Sequence, residues 1–478
     1  MPRRWKQFSG NWTATQVAQA KGAGTWPGVP GAPTIGTATG GNAQATVPFT
    51  APTDTGYPTT LSYTVTSSPG SITATGSASP ITVTGLTNDT SYTFTVTATN
   101  DTGTGPASAA SNAVTPEAPR ELYAWGINSE GQLGLNDQNI SRSSPTQVGA
   151  LTTWLTIDSF YHAIALQKNG SLWTWGNGGE GRLGNNSIAS QSSPVQVGAS
   201  AWSFATAGGR HSLGISSAGN LYAWGENGDG QLGTNTTIDA SSPVQIGSLT
   251  TWTSVTAGYN QSFGILSTGA LYSWGGNGNG CLGHDQSPAS PNGVKSSPTQ
   301  IGAGTTWLQV DAGGEYNVAA IQTDGTLWTW GNNSYGQIGD NTTTNRSSPV
   351  QVGALTNWAQ VSEGYQTVMA VKTDGTLWGW GRNQSGQIGD NSVTQRNSPV
   401  QIGSLTTWSA VSSGNGTTIA LKTDGTLWTW GNNSNGQLGQ NSGSTARRSS
   451  PVQVGALTSW KAVDISRWSD GLAFAISE

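Results

Sequence analysis

The sequence predicts an all-β protein, a seven-bladed β-propeller preceded by a β-sandwich. Three observations predict it. A Trp-Gly pair recurs with its Trp at 125, 175, 224, 274, 330, 380 and 430, a period near fifty residues. Each repeat reads as short alternating strands with hairpin signals and no convincing helix. Residues 27–118 carry a different pattern, in which alternating runs are separated by turn residues.

The repeat is legible in physical terms. Asp324-Gly325, Asp374-Gly375 and Asp424-Gly425 lie between two apolar runs. Asp-Gly is expected to supply the positive backbone angles of a tight hairpin turn. In the strand that follows Asp374-Gly375, Trp378 and Trp380 share one face and Leu377 takes the other. A strand apolar on both faces must be covered on both sides. Upstream, Ser-Pro-Val-Gln-Val/Ile-Gly leads to a second Trp, at 154, 202, 252, 307, 358, 408 and 460. A unit therefore holds about four strands. One such sheet cannot bury two apolar faces alone, but seven stacked around an axis can.

The ends of the repeat region predict a closed ring. Glu121 to Gly126 is the second half of a hairpin, and Ala473 to Ile476 is a first half with no Leu-Trp-x-Trp-Gly after it. Pairing the two would leave no edge strand.

The Trp-Gly pair, the Gly-x-Gly-Gln-Leu-Gly loop, the Ser-Pro-Val-x-Val run and the fifty-residue period resemble the repeat of the regulator of chromosome condensation family. The resemblance covers roughly residues 120–478 and implies a seven-bladed propeller. Members of that family range from nucleotide exchange on a small GTPase to chromatin binding and a secreted β-lactamase inhibitor. The resemblance thus implies protein binding by loops on the propeller faces.

Taken in order, the chain divides into an arm (1–26), an immunoglobulin-like sandwich (27–118) and the propeller (119–478). In the sandwich, alternating runs fall at 45–49, 61–66, 71–75, 81–84 and 92–99. Leu86 to Tyr92 resembles the tyrosine corner of fibronectin type III domains, with the Tyr92 hydroxyl bonded to backbone a few residues upstream. The arm carries Trp5, Trp12 and Trp26, which are costly to expose, and the basic Arg3, Arg4 and Lys6. Arg3, Arg4, Trp5, Trp12 and Trp26 are the candidate assembly contacts. No apolar run follows the basic residues, so the arm does not read as a secretory signal.

Composition excludes several functions. A single Cys among 478 residues excludes an internal disulfide, and Cys281 occupies a loop slot filled by Gln elsewhere. The net charge of −5 gives no reason to expect nucleic-acid binding. No stretch approaches eighteen apolar residues, so no membrane-spanning helix is expected. His162 and His211 occupy one repeat position whose equivalents are Gln261, Asn317, Thr367, Thr417 and Leu472, a polar preference and not a metal ring. No catalytic residue, metal site or cofactor is expected, and the chain does not read as an enzyme.

Two features stand out as binding candidates. Three residues before the repeat Pro come Arg142, Gln191, Ala240, Lys295, Arg346, Arg396 and Arg448. Five of these are basic, and equivalent positions crown one face. Arg142, Lys295, Arg346, Arg396 and Arg448 could meet an acidic partner, or pair locally with residues such as Asp340 and Asp390. The second feature is a longer loop around residues 287–293, a surface element on a rigid scaffold.

The weakly charged, Ser/Thr/Asn-rich chain, the sandwich beside a propeller and the Trp-bearing arm lead to one functional expectation. It is a non-catalytic structural or adhesion protein of a bacteriophage virion, such as a tail, fibre or capsid-attached component. The arm would dock to other virion or surface-assembly proteins, and a propeller face would take a protein or glycan. The alternatives are a secreted or surface-bound bacterial protein, extracellular or on the cell surface, and a nucleotide exchange factor.

Overall fold

A computed structural model describes residues 13–22, 27–57, 59–285, 293–314, 316–441, 446–468 and 471–478. The chain forms two compact units, 1–119 and 120–478.

In the first unit a helix spans Ala14–Gly22. The sequence reading assigned the arm no helix, yet its start signal is present. The Thr13 hydroxyl accepts the Gln16 N–H at 3.3 Å, and the Gln16 side chain accepts the Thr13 N–H at 3.0 Å. That reciprocal pair is a capping box. Trp5, Trp12, Trp26, Arg3 and Arg4 lie outside the described residues. The sandwich sheets are Thr39–Gly41, Gln44–Val47 and Ile81–Thr84 on one side, and Thr73–Gly76, Ser62–Ser68, Thr93–Asn100 and Gly103–Thr104 on the other. Alternate residues Val65, Phe94, Val96, Val47 and Val83 point between them into one core. The Thr87 N–H donates to the Tyr92 hydroxyl at 3.1 Å, which makes the tyrosine corner.

The second unit holds seven four-stranded antiparallel sheets. The first blade runs Trp154–Ser159, His162–Gln167, Leu172–Gly176 and Gln191–Gln196, from the channel outward. Five more follow in chain order, with innermost strands beginning at Trp202, Trp252, Trp307, Trp358 and Trp408. The seventh blade combines both ends. Trp460–Ile465 and Leu472–Ser477 are joined by Glu121–Gly126 and Arg142–Gln147, with Leu122 opposite Ile476 and Trp125 opposite Ala473. Closure by the two half-hairpins is as the sequence predicts.

The hydrophobic clusters lie between blades. Leu377 packs with Trp408 and Trp430 of the next blade, whereas Trp380 packs with Ala319, Ile321 and Leu327 of the preceding one. The two faces of one strand thus serve two neighbours. Each of the seven Trp-Gly indoles also donates its N–H to a backbone carbonyl in the loop of the preceding blade, as Trp330 does to Cys281 at 2.7 Å and Trp175 to Gln132 at 2.9 Å. Because the acceptor is backbone, Arg182 and Cys281 replace Gln in that slot without losing the bond. The Gly after the Trp marks a bulge: Gly331 has φ +98°, and a Cβ there would stand 2.0 Å from the Tyr316 carbonyl oxygen.

One local expectation needs correction. In the Asp-Gly turns only the Gly takes positive φ, +78° at Gly325. The Gly325 N–H bonds back to the Gln322 carbonyl, and the Asp324 carboxylate accepts from the N–H and the hydroxyl of Thr326. The Asp works by hydrogen bonding, in a three-residue loop closed by a bulged Gly.

Candidate binding face at the channel mouth

In an up-and-down blade, the loop between the first and second strands and the loop between the third and fourth emerge on one face. The five basic candidates sit there, as Arg142, Lys295, Arg346, Arg396 and Arg448 each start an outer strand. Local pairing engages three of them. Arg142 meets Asp137 at 2.5 Å, Arg346 meets Asp340 at 2.5 Å and Arg396 meets Asp390 at 2.6 Å. Burial raises the Asp340 and Asp390 carboxyls, but hydroxyls of Thr342 and Ser392 and the arginines outweigh it and hold both below the usual range. Lys295 and Arg448 make no ion pair among the described residues. The basic positions do share a face, but most of their charge is spent inside their own loops. Residues 287–292 of the long loop lie outside the described residues.

The long loops on this face are self-supporting. The Asn333 carboxamide accepts the Ile338 N–H and donates to the Thr342 and Thr344 carbonyls, and the Gln337 side chain accepts the Tyr335 N–H. The same Asn-to-Leu/Ile bond recurs from Asn128, Asn227, Asn277, Asn383 and Asn433. These repeated polar residues build the scaffold.

The histidines are buried between blades. His162 Nε2 lies 2.6 Å from the Ser212 hydroxyl, and His211 Nε2 lies 2.8 Å from Ser262. Both serines donate their proton to a backbone carbonyl, of Arg182 and Gln231. Each imidazole must therefore donate from Nε2, and its Nδ1 is buried with no hydrogen-bond partner among the described residues, which favours the neutral ring. Burial, with Arg182 nearby, drives both well below the ordinary range, His211 to about 3. Cys281 is buried, and burial pushes its thiol up, away from nucleophilic behaviour.

Sequence reading missed a cluster at the mouth of the central channel. The loop of the closing blade crosses the mouth with Ser466, Arg467 and Trp468. The Trp468 ring lies 4.9 Å from Tyr259, 4.8 Å from Tyr365 and 6.1 Å from Tyr161, which come from three other blades. Its carbonyl accepts from the Asn415 side chain at 3.0 Å. The Arg210 guanidinium sits 5.3 Å from the Tyr259 centroid and pairs with Glu226 at 3.1 Å. All these rings are half-buried. Beneath them Arg467 bridges Asp158 at 3.2 Å and Asp311 at 3.0 Å. These carboxylates tie blades together. Asp158 accepts from Thr206 and Ala207 of the next blade, and Asp311 accepts from Thr256 and the Glu363 N–H. Asp464 accepts from Ser159 at 2.5 Å, and burial with Asp158 close by lifts it well above the usual range. Below lies a channel of about 410 Å³ walled by innermost-strand residues. The sequence signal is partial: Tyr161 and Arg210 stand one residue before His162 and His211, Tyr259 and Tyr365 stand two before Gln261 and Thr367, and Trp468 has no counterpart in register.

A closed ring of seven blades, held together by repeated polar residues and with aromatic rings and an arginine at its channel mouth, defines a β-propeller of the repeat class. The chain belongs to the RCC1-like domain family, whose model matches residues 121–468, and residues 30–114 match the fibronectin type III domain. Solved structures with this fold include yeast RCC1 (Prp20) bound to Kap60, at TM-score 0.66 and 17% identity over 75% of this chain and 89% of that one. Human WBSCR16 gives TM-score 0.67 and 19% identity over 76% and 99%. Among curated proteins, human "Probable E3 ubiquitin-protein ligase HERC4" is 39% identical over 71 residues, 14% of this chain and 7% of HERC4. The mitochondrial RCC1 domain-containing protein RUG3 of Arabidopsis thaliana is 36% identical over 80 residues, 16% of this chain and 17% of RUG3. The matched segments thus span a small part of those relatives.

Proposed function

We propose that this chain is a non-catalytic protein-binding propeller whose partner seats on the channel mouth around Trp468, Tyr259, Tyr365, Tyr161 and Arg210. The observation that carries the reading is the half-buried aromatic cluster itself, drawn from four blades onto one face. Tyrosine, tryptophan and arginine are the side chains that anchor protein interfaces, because each offers a large rigid surface with a polar tip. A protein partner is also what the solved Prp20p structure from Saccharomyces cerevisiae names, in Gsp1p and histones. The setting we infer is an extracellular assembly, a bacteriophage virion in which the arm attaches the chain and the propeller faces outward. Its support is compositional: charged residues make up only 9% of the chain, and a fibronectin type III module precedes the ring in the sequence.

A photo-crosslinking amino acid at Arg210, compared with one at the exposed Leu355 on the opposite face, tests the reading in native particles. The expected result is an adduct with a second protein from position 210 and none from 355. No adduct at 210 would overturn the mouth as the interface. Mass spectrometry of the adduct decides the setting, since a small GTPase in place of a virion protein would replace it with the exchange-factor reading.

A further inference from the structure

We infer that the slot between the sixth and seventh blades, on the outer circumference of the ring, binds a neutral pyranose. The cavity is about 530 Å³, and both outer strands contribute to it through Ser144, Pro145 and Gln453. Volumes of this order suit a small ligand lined mostly by apolar and aromatic surface with a few polar groups. The Tyr123 and Trp460 rings form one wall, at 5.3 Å and near a right angle. Leu457, 49% exposed, forms its edge.

Charge decides the class of ligand. Among the described residues, no Lys, Arg, Asp, Glu or His lines this slot. The Tyr123 hydroxyl donates to Glu121 at 2.7 Å, and burial with that bond pushes it up to about 12, so it stays neutral. An anionic or cationic ligand would find no counter-charge in the lining. A neutral sugar would find what it needs. The C–H face of a pyranose carries slight positive charge and suits the negative face of an aromatic ring. Its hydroxyls pair with planar amides, which donate and accept together. The side chains of Asn441 and Gln453 line the slot without a hydrogen bond among the described residues. Trp460 is 4% exposed, and its indole N–H also has no partner there.

A related slot lies one blade earlier, in a cavity of about 390 Å³ that Asp390 and Lys422 also line. Trp408 and Trp428 replace Trp460 and Tyr123, Pro451 replaces Pro145 and Leu405 replaces Leu457. Its charges are held within the protein: Asp390 pairs with Arg396, and the Lys422 ammonium lies 3.6 Å from the Trp428 centroid.

The test is saturation-transfer NMR on the full chain with three probes: methyl α-D-glucopyranoside, methyl β-D-galactopyranoside and N-acetyl-D-glucosamine. The expected result is transfer to at least one probe, weakened about tenfold in an Asn441→Ala/Gln453→Ala double variant. Both side chains reach solvent, so this variant should fold. Arg210→Ala, at the channel mouth, should leave the transfer unchanged, which separates this inference from the protein-binding reading. Transfer to none of the probes, full transfer in the double variant, or binding of a decaproline peptide in place of sugar would each overturn it.

Discussion

At the scale of single residues, the ring is held by indoles that do two jobs. Trp330 is fully buried, packs against Trp307 and Phe263, and donates to the Cys281 carbonyl. Trp330→Ala should cost about 3–5 kcal/mol in denaturant unfolding, from lost contact and a residual cavity. A variant that kept full stability but lost binding would assign the residue a ligand role instead. His211 makes a second, pH-dependent prediction. It titrates near 6.5 when unfolded and is held down to about 3 in the fold by burial and by Arg182. Between those values the unfolded chain binds the extra proton. Stability should therefore rise with pH from about 3 to about 6.5, by roughly 1.4 kcal/mol per pH unit for this group, and level off above. His211→Gln, which installs the residue found at the equivalent Gln261, should remove one proton's worth of that slope. Urea titrations at a series of pH values measure it, and an unchanged slope would show that His211 is not neutral in the fold.

At the scale of elements, the long loop after each Trp-Gly pair behaves as a preformed unit. Its organiser is the buried Asn, as Asn383 shows by accepting the Ile388 N–H and donating to the Ser392 and Thr394 carbonyls. Asn383→Ala leaves those groups unpaired in a tight loop. It should lower stability by about 1–3 kcal/mol, read by thermal unfolding. These elements were legible because repetition averages out local noise: seven copies of Trp-Gly fix strand ends, and Asp-Gly fixes turns. The channel mouth was not legible for the opposite reason. Tyr161, Tyr259, Tyr365 and Trp468 do not share one repeat position, and they meet only because the ring brings three loops under the crossing loop of the last blade. The basic crown and its local pairing with Asp340 and Asp390 were both visible in the sequence as alternatives, and loop geometry that places Asp340 2.5 Å from Arg346 favours the pairing there.

At the scale of the whole molecule, the decisive feature is the composite seventh blade. Leu472–Ser477 pairs with Trp460–Ile465 on one side and with Glu121–Gly126 on the other, so a strand from the end of the ring joins a strand from its start. The same segment leads from the crossing loop, in which Arg467 reaches Asp158 of the first blade and Asp311 of the fourth. A solenoid without closure is a row of units that unfold in sequence, each supported by its neighbours. Closure removes the two edges and couples every blade to two others. Removing residues 460–478 would strip Glu121–Gly126 of its partner strand and expose the faces of the first and sixth blades that now pack on the seventh. The truncated chain should lose the single cooperative transition of the intact ring and melt broadly at lower temperature. Calorimetry of the two proteins tests this, with the sandwich transition as an internal reference. If the truncated ring melted as sharply and as high as the intact one, the blades would be stable as an open array, and the pairing across the chain ends would contribute nothing to the fold's cooperativity.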